Sequence, residues 1–84
     1  MRCAKIFEGD CNNWDAWKLN LNYQDREYSI EECHGLCFEA AECDGFMVGA
    51  MDGNEPGVCY LGKGNCAQGN SKNLQYYAMA DCTD

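Results

Sequence analysis

The sequence predicts a small, disulfide-rich α+β domain, about five strands around one central helix. Three observations carry this. Eight cysteines stand in 84 residues, the density of a disulfide scaffold. One stretch near the middle carries helix signals. Short apolar segments flank it on both sides, separated by turn-rich loops.

In chain order, Cys3 to Phe7 is apolar enough for a terminal strand, and Glu8 to Asn13 reads as a loop carrying Cys11. Trp17, Leu19, Leu21 and Tyr23 alternate with Lys18, Asn20 and Asn22, the period of a strand with one buried face. Trp17, in phase with Leu19, is expected in the core. Ser29-Ile30-Glu31-Glu32 fits a capping box. Ser29 would accept from the Glu32 amide, and the Glu32 carboxylate would reach back to the Ser29 amide. The helix should run from Ile30 to about Ala41, with Ile30, Cys33, Cys37, Ala40 and Ala41 turned inward.

Asp44-Gly45 is a stop signal. Phe46 to Met51 and Val58 to Leu61 read as strands of a hairpin, with Asp52-Gly53-Asn54-Glu55-Pro56-Gly57 as its tip. Residues 62–73 form a Gly- and Asn-rich loop carrying Cys66. Leu74 to Ala80 closes the domain as a last strand, followed by Cys82. Tyr76 and Tyr77 are adjacent there, so one is expected in the core and the other exposed. Residues 1–84 are expected to form a single domain.

The cysteines are Cys3, Cys11, Cys33, Cys37, Cys43, Cys59, Cys66 and Cys82. The even count lets every thiol pair, which points to an oxidising compartment: secreted or cell surface. Structural zinc is disfavoured because no Cys-x-x-Cys knuckle occurs and His34 is the lone histidine. No cofactor motif is present. Eight cysteines allow 105 pairings, and spacing alone does not choose among them.

Fourteen carboxylates face six basic side chains, for a formal charge of -8. That balance disfavours nucleic acid and polyanions as partners. No apolar run is long enough for membrane insertion. The segment from Met1 to Lys5 lacks the apolar stretch of a signal peptide. A secreted origin would therefore imply a signal already removed or a longer parent chain. No Asn-x-Ser/Thr sequon occurs.

Three residues separate Cys33 from Cys37 and five separate Cys37 from Cys43, followed by Gly45-Phe46 and Cys59-Tyr60-Leu61. With the helix introduced by Ser-Ile-Glu-Glu-Cys, this pattern resembles a PAN/apple domain, most strongly over residues 28–61. The resemblance implies a curved antiparallel sheet wrapped round one helix. It also implies Cys33–Cys59 and Cys37–Cys43 bridges, with Cys3–Cys82 joining the ends. Cys11 and Cys66 exceed the six cysteines common in apple modules, so Cys11–Cys82 with Cys3–Cys66 stays open. The family binds proteins or carbohydrates on surfaces that vary, so no ligand residue is carried over.

If Cys59 and Phe46 face the helix, alternation turns Met47, Met51, Val58 and Tyr60 to the other side of the sheet. There they form an apolar patch open to a partner, or a second small core if residues 62–73 or 8–16 cover them. Trp14, amid Asn12, Asn13 and Asp15, is a candidate sugar-stacking platform, with packing over a disulfide as the alternative. Asp52 to Glu55 lacks a calcium ligand where Pro56 stands and reads as a turn. His34 beside Cys33 is no nucleophile pair, because an oxidised cysteine does not attack and adjacent helical residues diverge. The expected function is an extracellular recognition or adhesion module, not an enzyme. Its partner is a protein or glycan, or a second copy of itself. A free-standing secreted inhibitor or toxin-like effector is the alternative.

Overall fold

A computed structural model describes residues 2–71 and 73–83. Met1, Lys72 and Asp84, parts of the expected 1–84 domain and of the 62–73 loop, lie outside the described residues. The elements are β1 (Arg2–Glu8), α1 (Trp14–Trp17), β2 (Lys18–Tyr23), α2 (Ile30–Glu39), β3 (Gly45–Gly49), β4 (Cys59–Gly62) and β5 (Leu74–Thr83). The strands make one antiparallel sheet in the order β1-β5-β3-β4-β2. A small disulfide-rich domain with a five-stranded antiparallel sheet is thus the observed fold, with two helices and four disulfides.

The capping box of α2 forms as its residues dictate. The Glu32 amide donates to Ser29 Oγ at 3.1 Å, and the Ser29 amide donates to Glu32 Oε1 at 2.9 Å. Arg26 then pairs with Glu32 Oε2 at 2.8 Å. The guanidinium and the Ser29 amide hold the Glu32 carboxyl down at about 2. The helix ends at Glu39, short of the expected Ala41, and a turn brings Cys43 back to Cys37, with Cα atoms 5.4 Å apart. Ile30 and Ala41 depart from the expected inward stripe: Ile30 is 36% exposed, and Ala41, beyond the end of the helix, is exposed as well.

The sheet buries both of its faces. On one face, Cys33 and Cys37 of α2 meet Phe46, Val48, Cys59, Leu61 and Tyr77 of the sheet. On the opposite face lie Cys11, Trp17, Met47, Val58, Tyr60, Cys66, Leu74 and Tyr76. The alternation expected for the hairpin holds, with Phe46 and Val48 on one side and Met47 on the other. Tyr76 and Tyr77 do face opposite sides, but both are buried, which corrects the expectation that one is exposed. Each has an aromatic neighbour on its own face: Phe7 stacks on Tyr76 at 5.0 Å and Phe46 on Tyr77 at 5.3 Å.

The region around Trp17 also differs from expectation. Trp17 ends the one-turn helix α1 instead of opening a strand. It fills the second core, whereas Leu19 packs on the α2 side. Beyond it, β2 is irregular between Lys18 and Leu21, where Asn20 takes φ 61°. That left-handed residue breaks the alternation, and Leu21 is left exposed.

Four bridges link these layers: Cys3–Cys82, Cys11–Cys66, Cys33–Cys59 and Cys37–Cys43. Cys33–Cys59 fastens α2 to β4. Cys3 and Cys82 are cross-strand partners in β1 and β5. The alternative of Cys11–Cys82 with Cys3–Cys66 is not adopted. Among the described residues, no helix is long and apolar enough to cross a membrane.

Candidate functional site

The second face of the sheet is covered by two loops tied to each other. Cys11 in the 9–13 loop is bridged to Cys66 in the loop after β4. Backbone bonds reinforce the tie. Asn12 N–H donates to Ala67 O at 2.6 Å and Gly69 N–H to Asp10 O at 2.7 Å. The Asn13 side chain acts as a third rung, donating to Asn65 O at 2.8 Å and accepting from the Ala67 amide at 2.9 Å.

This cover corrects the expectation of an open apolar patch. Met47 is 1% exposed, Val58 8% and Tyr60 9%. They are the floor of a second core, the alternative that the sequence left open. The cover draws on both expected segments. Met51 lies beyond β3 and is 65% exposed, apart from the other three.

At the edge of the cover a cleft of about 350 Å³ remains open. Trp14 and Tyr60 line it, with the apolar side chains of Met47 and Leu74. The ring of Trp14 meets Tyr60 in a T-shaped contact at 5.4 Å and tilts against Trp17 at 5.9 Å. Trp14 is only half-buried, so its aromatic surface is shared between the second core and the cleft. Polar groups complete the lining: the amides of Asn22 and Gln24 and the carboxylates of Asp10 and Glu55.

Tyr60 fixes the geometry of one carboxylate. Its hydroxyl donates to Glu55 Oε1 at 3.1 Å. Burial, reinforced by this bond, pushes the Tyr60 phenol up to about 12. Asp10 is held from the cover, its Oδ1 accepting from the Ser71 amide at 3.3 Å.

A second groove of about 470 Å³ lies where the start of α2 approaches the end of β3. Met51, Ile30 and Ala50 line it, together with Glu27 and the already paired Glu32. Of the residues singled out from the sequence, Trp14, Met47 and Tyr60 therefore meet in one cleft, while Met51 lines the other groove. Val58 lines neither. Asp10, Asn22, Gln24 and Glu55 were missed. Asp10 comes from a loop held by the pairing of the cover, and Glu55 from a hairpin tip held by Tyr60.

Among the described residues, one group of metal-ligand type gathers: Cys3, Cys82 and His34, whose donor atoms lie within 4.8 Å of one another. Both sulfurs are joined in the terminal bridge. A disulfide sulfur carries no thiolate charge and is a poor ligand, so this group is structural in the oxidised chain. No family model matches the chain, and no curated protein or solved structure matches it.

Proposed function

We propose that this chain is an extracellular recognition module, related in plan to PAN/apple domains, which binds a protein or glycan partner through the Trp14–Tyr60 cleft. The observation that carries the reading is the composition of that cleft. An aromatic pair, two amides and two carboxylates converge on one open concavity beside a crosslinked core. Concave sites with an apolar floor and a few placed polar groups are the usual form of a binding site. The cysteine spacing and the helix fastened to the sheet by Cys33–Cys59 support the family likeness. Four disulfides support an extracellular, oxidising setting.

Trp14 is the residue to test. Immobilised, oxidised domain should capture a partner in a pull-down or on a glycan array, and Trp14→Ala should abolish capture while the far-UV spectrum stays unchanged. Capture that survives Trp14→Ala would remove the cleft from the account.

A further inference from the structure

Among the described residues, no cation pairs with either of the two cleft carboxylates. The ion pairs among the described residues are Lys5–Glu8, Lys18–Asp15, Arg26–Glu32 and Lys63–Glu42. Asp10 and Glu55 belong to none of them. Each is held instead by a neutral donor, the Ser71 amide and the Tyr60 hydroxyl. The nearby Lys18 ammonium lies 6.0 Å from the Trp14 ring centroid, at the outer limit of a cation–π contact, and is already paired with Asp15 at 3.3 Å. No basic residue lines the cleft among the described residues.

Such a site favours a cation with an apolar stem. Two fixed carboxylates and the rings of Trp14 and Tyr60 all attract positive charge. The half-buried ring of Trp14 offers the apolar surface on which methylene groups pack. The carboxylates come from separate segments, which suits a compact ammonium with three freely directed donors better than the planar fork of a guanidinium. An anionic ligand would meet like charge here and across a protein of net charge -8. A neutral sugar would leave both carboxylates uncompensated.

We propose that the cleft takes the side chain of a lysine on a partner protein, with its ammonium facing Asp10 and Glu55 and its stem against the ring of Trp14. This rests on the recognition reading above and names its ligand chemistry. The partner surface is therefore basic, in keeping with the acidity of the whole chain.

The test uses the oxidised full chain and two small probes, Nα-acetyl-lysine amide and its Nε-acetylated counterpart, followed through the indole N–H signals in NMR. The uncapped probe should shift the Trp14 signal saturably, more weakly as salt rises. Acetylating the ammonium should weaken binding by at least about tenfold. Asp10→Asn and Glu55→Gln should each weaken it several-fold, with the remaining amide signals unmoved as evidence of an intact fold. Equal binding of both probes, or binding of neither, overturns the proposal. A neutral glycan that shifts Trp14 where lysine does not would also overturn it, yet leave the recognition reading standing. Partner capture indifferent to Trp14→Ala would remove both.

Discussion

The indole of Trp17 packs directly on the backbone of Gly62, so closely that a methyl group at Gly62 would overlap the ring. The partner of Gly62 across the hairpin is Gly45, and Tyr76 crowds Gly45 in the same way. Trp17 and Tyr76 meet edge to face at 6.1 Å above this pair of glycines. Trp17 and Tyr76 therefore rest on a patch of bare sheet backbone at one end of the second core.

Gly62→Ala should consequently destabilise the oxidised domain by about 3 kcal/mol, the upper part of the range for overpacking. Gly35→Ala is the opposite case. Gly35 lies inside α2, and a methyl group there would meet nothing within 4 Å. It should stabilise by about 0.5–1 kcal/mol through helix propensity alone. Urea unfolding of both variants measures the pair of effects.

Removing the Cys11–Cys66 bridge should uncover the second core. The bridge closes a loop of sequence separation 55, against 6 for Cys37–Cys43. Chain entropy then assigns about 4 kcal/mol to the first and about 2 to the second. A Cys11→Ala/Cys66→Ala variant should unfold at lower denaturant than Cys37→Ala/Cys43→Ala. It should also bind a hydrophobic dye, because Met47 and Tyr60 lose their cover.

Acid should act on the start of α2. The Glu32 carboxyl is depressed to about 2 from an ordinary value of 4.5, so its contribution is complete above that value and is lost as pH falls through about 2. Stability measured from pH 5 to pH 2 should decline more steeply in the parent chain than in Glu32→Gln. Ser29→Ala, which removes the acceptor for the Glu32 amide, should cost about 1 kcal/mol at neutral pH.

Alkali should act on the cleft. Burial raises the Tyr60 phenol from 10.0 to about 12, which favours its protonated form in the folded chain. Its contribution is complete below pH 10 and is lost as pH rises toward 12. Tyr60→Phe should flatten that part of the stability profile, and the absorbance titration of the parent should show a late-ionising tyrosine missing from the variant.

Local chemistry made the helix legible: Ser29 and Glu32 announce its start because cap and box depend on neighbours in sequence. The hairpin faces were legible for a similar reason, since alternation assigns Phe46 and Met47 to opposite sides wherever the strand lies. What failed depended on distant partners. Trp17 left its apparent phase with Leu19 because the helical turn at Trp14–Trp17 sends the ring over Gly62. Tyr76 and Tyr77 are both buried because the sheet is covered twice. The cleft was partly visible in Trp14 and Tyr60, but Asp10 reaches it only through pairings made far along the chain, and Glu55, though held locally by Tyr60, reads in the sequence only as part of a turn.

Disulfides clamp a helix to one face of the sheet and a loop cover to the other. Peptide mapping of the native, unreduced protein by mass spectrometry tests this most directly. Crosslinked peptides should join Cys3 to Cys82, Cys11 to Cys66, Cys33 to Cys59 and Cys37 to Cys43, with every thiol consumed. Free cysteines in folded material, or Cys11 and Cys66 crosslinked to other partners, would contradict it.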